Sequence, residues 1–306
     1  TGDANLFLMN PKGITFESNA SLQIPASFLA TTATSISFGV EDFALQTDQG
    51  VASLLINVPT DLQLGSAPLN LLPGADLRTN GFLSLIGSGI NITASDLLNE
   101  AAGGSVNINL FSIENSQLRI DNNIGLDSPR ITDELALSCD SSSCQNISAE
   151  NYRDISLTEG ADVVVSAGNL NVRGRDVTLV SGSRLVTQPN DTAAGETLSV
   201  VAQNRLRLSG GLGNNESGLL AENINAPSGA PGNIKVQANE VLVQEGARLT
   251  TSTDGIGNGG SIEIIAPDLV SIDGISLNDG DPSGFFSESL SNASGSGGSV
   301  VITTNQ

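Results

Sequence analysis

The chain has 306 residues, 33 acids against 12 bases, a formal net charge of −21 and no histidine. Tryptophan is also absent, and there are one tyrosine, one methionine and two cysteines beside 34 glycines. This composition excludes a Ser-His-Asp triad, a Cys-His pair, a zinc site with histidine ligands, a four-cysteine zinc site and a four-cysteine iron–sulfur cluster. So acidic a chain is unsuited to nucleic acid and to anionic membrane surfaces. With 39% apolar and 15% charged residues it has the means to bury a core. No run reaches the roughly 18 apolar residues of a membrane-spanning helix. No basic-then-apolar leader opens the chain, so an export signal is expected outside it. No catalytic set, metal site or cofactor is expected.

In chain order, Asn10-Pro11-Lys12-Gly13 comes first, an Asx-Pro turn closed by glycine. It reads as a tight corner between two strands, one that orders the first rungs, presents a docking epitope, or does both. Phe7, Phe16, Phe28, Phe38 and Phe43 fall within the first 43 residues and predict an aromatic core there. Short runs of alternating apolar residues follow: Leu54–Val58, Ser105–Leu110, Gln117–Ile120, Asp162–Ser166 and Asn169–Val172. The pattern continues at Arg205–Leu208, Asn233–Gln237, Ser261–Ile265 and Ser299–Ile302. Period two, rich in Val, Ile and Leu and bounded by Gly, Asn, Asp or Ser, means strands with one buried and one wet face. The best helical stripe, Ser95 to Ala102, amounts to about two turns. Cys139 and Cys144 bracket a polar segment that interrupts the strands, and in an exported chain a disulfide pinning a protruding loop is expected. Free thiols, or a redox or metal role, are the alternatives.

The second half repeats. Asn169–Gly232 overlays Asn233–Gly298, matching Gly182 with Gly246, Arg184-Leu185 with Arg248-Leu249 and Gly210 with Gly274 at a constant offset of 64. Beyond that, Gly218-Leu-Leu-Ala-Glu matches Gly284-Phe-Phe-Ser-Glu at an offset of 66. Three returns of the strand-and-glycine pattern per copy give about 21–22 residues per rung, a solenoid period. The expected fold is all-β, a right-handed parallel β-helix of about fourteen rungs at that period. Like charges stacked ~4.8 Å apart repel, which favours Ser, Thr and Asn on the outer faces.

The string Ala4-Asn-Leu-Phe-Leu-Met-Asn-Pro-Lys-Gly-Ile-Thr-Phe16, then Asn19-Ala-Ser-Leu22 and Ser27-Phe-Leu-Ala-Thr-Thr-Ala33, resembles one family. It is similar to the secretion domain of two-partner-secretion exoproteins, the group of filamentous haemagglutinins and related adhesins. The family block N-P-N-G-I stands here as Asn10-Pro11-Lys12-Gly13-Ile14, with lysine replacing its second asparagine. Leu54–Val58 with Pro59, and the repeats from Gly160 onward, look like large cyanobacterial members. The resemblance implies a β-helix exported through an outer-membrane barrel transporter that recognises the secretion domain, with Asn10–Ile14 as the motif carried over. It also implies a secreted or cell-surface adhesin or its stalk, with a host-cell or matrix glycan or protein as further partner. The family's earlier block and N-terminal cap are expected before residue 1. The expected division is 1–115 for the C-terminal part of that secretion domain, 116–168 for junction rungs with the Cys139–Cys144 loop, and 169–306 for the stem.

Two other functions compete. Acidic turns such as Asp121…Asp127, Asp133-Glu134 and Asp279-Gly-Asp281 are either solvated turns or calcium ligands. A carbohydrate-active β-helix would need two acids facing each other across a sugar-sized groove. The other competitor is the stem of a contact-dependent toxin or haemolysin.

Overall fold

In a computed structural model of the chain, residues 5–37, 42–44, 61–100, 107–114, 117–119, 149–166, 168–188, 197–223, 231–254, 257–290 and 293–305 are described. Strands stack in parallel along three faces. The first face runs through Leu6–Met9, Phe28–Thr31, Leu83–Gly87 and Ile108–Ser112, and later through Ile262–Ile265 and Val300–Thr303. The second begins Ile14–Phe16, Leu69–Leu71, Ile90–Thr93, Ile155–Thr158 and ends with Leu269–Asp273. The third is Ser21–Ile24, Asp76–Thr79, Asp96–Asn99, Asp162–Val165, Arg184–Thr187, Gly218–Asn223, Arg248–Thr253 and Gly284–Ser289. Leu170–Val180, Leu198–Ser209 and Ile234–Gln244 are long enough to serve the first face and then the second. The chain is a parallel β-helix. Among the described residues no helix is long and apolar enough to cross a membrane.

Alternation puts one residue type in register through the stack. Leu69, Ile90, Ile155, Val177, Leu206 and Val241 form one inward row, each fully buried. Burying each such side chain contributes about 1.5–3 kcal/mol, and the rows from all three faces merge into one core. Of the early phenylalanines, Phe28 is buried and meets Phe16 edge-on at 6.2 Å, but Phe7 lies on the outer side and is 40% exposed. Phe38 lies outside the described residues, as does Leu54–Val58. The stripe from Ser95 is strand Asp96–Asn99, because Leu97 and Asn99 fall in register with inward Leu77 and Thr79.

Rung length departs from the uniform 21–22 expected. Leu6 to Phe28 is 22 residues, Leu69 to Ile90 is 21 and Asp162 to Arg184 is 22. In the repeats, however, Leu170 pairs with Leu198, 28 residues on, and Leu198 with Ile234, 36 residues on. Ile234 then pairs with Ile262 after 28 and Ile262 with Val300 after 38. The offset of 64 is therefore a short rung plus a long one. Larger insertions occur earlier, as from Phe28 to Leu83, so the described first face holds nine strand passes where fourteen rungs were expected. The cause is local. Short rungs turn from the second face to the third in a tight turn at Ser181-Gly182 or Glu245-Gly246, with Ser181 and Glu245 at φ +56°. Long rungs instead project loops, a hairpin at Gly211–Glu216 and the segment 274–283.

Charge on the outer faces also differs from expectation. Asp76, Asp96 and Asp162 stand directly in register on the third face. Arginines make this tolerable: Arg78 binds Asp76 and Glu100, each at 2.8 Å, and Arg184 binds Asp162. Asp96, between the two pairs, is held above the usual carboxylate range by burial and then by the charges of Asp162 and Asp76.

Candidate functional site

The corner at Asn10–Ile14 joins the first and second faces of the first rung. Asn10 Oδ1 accepts from the Lys12 amide at 3.0 Å, and the Asn10 carbonyl accepts from the Gly13 amide at 3.1 Å. This is the Asx-Pro turn expected from sequence, closed at both levels. The corner is tied to the next rung by the Asn10 amide donating to the Thr31 carbonyl at 3.0 Å and the Ile14 amide to the Pro68 carbonyl at 3.2 Å. Gly13 sits at φ +107°, and a Cβ there would lie 3.2 Å from the Pro68 oxygen, so glycine suits both the dihedral and the contact. Ile14 is buried, Pro11 half-buried, and Asn10 and Lys12 are exposed. The turn thus fastens its backbone inward and shows an amide and an ammonium outward.

Directly above it the chain leaves the helix. Ala33–Ser37, Asp42–Ala44, Asp61–Leu64 and Gln117–Arg119 form an antiparallel sheet outside the solenoid. Its inner side meets outward residues of the first face. Leu29, Ile86 and Phe111, which would otherwise be wet, are buried with Ala33, Ile36, Leu62, Leu64, Ile113 and Tyr152 in a second core. Met9, on the first rung, packs against this core and connects it to the corner one residue away. Thr32 Oγ1 donates to the Ala67 carbonyl at 2.8 Å and closes the base of the excursion.

A second fastening was missed in the sequence. Glu114 receives Arg153 on one carboxylate oxygen and Ser88 Oγ, at 2.8 Å, on the other. Burial alone would raise the Glu114 carboxyl, but the bonds from Arg153 and Ser88 outweigh it and hold it below its usual range. Arg153 follows Tyr152, whose ring fills the second core, so this pair returns the chain to the solenoid after its second excursion. Glu114 lies 26 positions from Ser88 and 39 from Arg153, and no local pattern marks the three.

Cys139 and Cys144 lie outside the described residues, as do Asp121, Asp127, Asp133 and Glu134. Asp279 and Asp281 do come together with Glu216, their carboxylate oxygens within 4.8 Å. Arg248 stands in that group, bonded to Asp281 and 3.8 Å from Glu216, with its guanidinium 5.4 Å above the Phe286 ring. An internal cation therefore already balances the turn.

A solenoid of this kind, carrying an extra-helical sheet over its early rungs and an Asx-Pro corner beneath it, defines a parallel β-helix with an outer sheet. The TPS secretion domain family matches residues 1–175, the span that holds the corner, the outer sheet and the Glu114–Arg153 pair. The match covers more than half of the chain, and the chain belongs to this family of two-partner-secretion exoproteins. Membership carries a two-partner-secretion transporter as partner and a secreted destination. Comparisons with curated proteins and with solved structures gave no significant match.

Proposed function

We propose that the chain is the transporter-recognised part and adjoining stem of an adhesin-type exoprotein, a binding rod without catalytic function. The observation that carries the reading is the coincidence of the family match at 1–175 with the corner at Asn10–Ile14 and the outer sheet above it. In this reading the periplasmic part of an outer-membrane barrel transporter docks on that corner, reading Asn10 and Lys12 while Gly13 and Ile14 hold the backbone in place. The stem from 169 onward then extends the rod outside the cell toward a host-cell or matrix receptor. A structural rather than catalytic use of the acids is supported by their pairing along the stack, as in Arg175–Asp154 at 2.8 Å and Arg205–Glu240 at 2.6 Å.

The test is co-expression with the cognate transporter in a Gram-negative host, with the chain placed behind a signal peptide. Appearance of the chain in the medium, lost when Asn10–Ile14 is replaced by a different tight turn of equal length and stability, supports the reading. Unchanged export with the replaced turn sinks the docking role.

A further inference from the structure

The alternation of short and long rungs leaves a notch on the corner between the second and third faces. The loops of the two long rungs, at Gly210–Ser217 and Gly274–Ser283, project past the tight turns at Ser181-Gly182 and Glu245-Gly246. They meet above the intervening turn, where Asn278 Nδ2 donates to the Gly213 carbonyl at 2.8 Å. Between them lies a cavity of about 400 Å³, lined by Val180, Arg207, Ser209, Glu245, Leu277 and Asn278 among others. Its residues come from four successive rungs, and all of them lie beyond the span matched by the family.

The chemistry of the lining is specific. Ser209 Oγ donates to Glu245 Oε2 at 2.6 Å and lies 3.4 Å from Arg207 Nη2, so hydroxyl, carboxylate and guanidinium form one row. Arg207, like Arg173, makes no ion pair among the described residues, whereas Arg78, Arg153, Arg175, Arg184, Arg205 and Arg248 all do. Arg207 and Glu245 both line the cavity, joined through Ser209. Leu277 forms an apolar wall and is 94% exposed, on a loop held by Ser276 amide to Asp281 carbonyl at 2.7 Å and Gly280 amide to Ser276 carbonyl at 3.0 Å. A loop that shows leucine to water beside a polar row has both parts of an amphipathic binding site.

We propose that this notch binds a neutral saccharide, with vicinal hydroxyls bridging Arg207 and Glu245 and a C–H face resting on Leu277. A hydroxyl is both donor and acceptor, so a neighbouring pair satisfies a carboxylate and a guanidinium together. An anionic sugar would meet Glu245 and the field of a chain at −21, and a cationic ligand would meet Arg207. The proposal deepens the reading of the chain as a binding rod and rests on it, yet the two fail separately. Export depends on residues 1–175, and saccharide binding is measured on the purified chain.

The experiment is titration of the 306-residue chain with linear oligosaccharides of glucose, mannose, galactose and N-acetylglucosamine, read by calorimetry and by amide NMR shifts. Oligogalacturonate, sialyllactose and short leucine-containing peptides serve as comparators. A neutral oligosaccharide that shifts the amides of 207–211, 245 and 277–278 supports the site. Arg207→Gln and Glu245→Gln should then each weaken binding about tenfold or more, the loss of a hydrogen bond to a charged group. Leu277→Ser, at a fully solvated position, should weaken binding several-fold with an unchanged unfolding midpoint. Absence of shifts at these residues with every neutral probe overturns the proposal, as does tighter binding there of an acidic sugar or a peptide.

Discussion

The amide of Gly182 donates a hydrogen bond to the hydroxyl of Ser217, 35 residues ahead, at 3.0 Å. The same hydroxyl donates to the Ser209 carbonyl at 2.9 Å, so one buried side chain serves a tight turn on one rung and the start of a loop on the next. The arrangement repeats at Gly246 and Ser283, at 2.9 Å, with Ser283 donating to the Asp273 carbonyl at 2.8 Å. Ser217 and Ser283 stand in one corner row with Ala161, Ser183 and Ala247, all small, and the hydroxyls in the row bond turn backbone, as Ser183 does the Val180 carbonyl at 2.9 Å.

Ser217→Ala should therefore be tolerated sterically and yet be destabilising. It leaves the Gly182 N–H without its partner in a buried corner, at a cost of about 1–3 kcal/mol, while the Ser209 carbonyl keeps the Ser181 amide at 3.2 Å. Urea unfolding of the variant beside wild type measures this. A change below a few tenths of a kcal/mol would show that water replaces the hydroxyl.

Gly260 should tolerate no side chain. A Cβ there would fall 2.0 Å from the carbonyl oxygen of Gly232 on the rung below, and one at Gly298 would fall 2.1 Å from that of Gly260. These are backbone-to-backbone approaches, which no rotamer relieves, so Gly260→Ala should cost about 3 kcal/mol or shift the rung. Thermal unfolding and limited proteolysis near 255–262 would register it.

Two carboxylates should give pH dependences of opposite sign. Glu114 is held below its usual pKa, so its contribution is present above the ordinary glutamate range and is lost as pH falls through its folded pKa. Glu114→Gln should lower stability by about 1 kcal/mol at pH 7, and the deficit should shrink in acid. Asp96 is held above its usual pKa, so its ionised form is disfavoured at neutral pH and relief comes as pH falls through that raised value. Asp96→Asn should raise the unfolding midpoint at pH 7 and lose this advantage in acid. Melting curves from pH 3 to 8 for both variants decide the signs.

Lys12 and Gly13 separate docking from folding. Lys12 is exposed, so Lys12→Asn should leave stability within about 0.5 kcal/mol. If the corner is read by a transporter, the same change should alter export efficiency. Gly13→Ala should cost about 1–2 kcal/mol, since alanine does not readily adopt a φ of +107°. Export measured with melting temperature for both variants distinguishes an epitope from a corner that only shapes the rod.

Much of the fold is legible in the sequence because parallel stacking obeys rules of nearest neighbours. Runs such as Asn169–Val172 and Asn233–Gln237 alternate with period two, and Gly182 and Gly246 recur at fixed offset, so strands, turns and a solenoid follow from local chemistry. The Asx-Pro corner is local too, and its bonds fall where Asn10 and Gly13 predict. The division of the 64-residue repeat is different. Leu170–Val180 and Leu198–Ser209 each serve two faces with a register shift and no break, so counting strand-and-glycine returns gives three rungs where pairing makes two. Nor does Phe28-Leu29-Ala30 reveal what covers its second face. A continuous apolar run states that both sides are buried, but the cover, from Ala33, Leu62 and Tyr152, comes partly from the far end of the chain's second excursion. Composition and period thus determined the kind of polymer this chain makes. Which residues share the second core, the Glu114 pair and the notch at Arg207 and Glu245 was decided only by the tertiary structure, since those meetings depend on the lengths of insertions that no local rule sets.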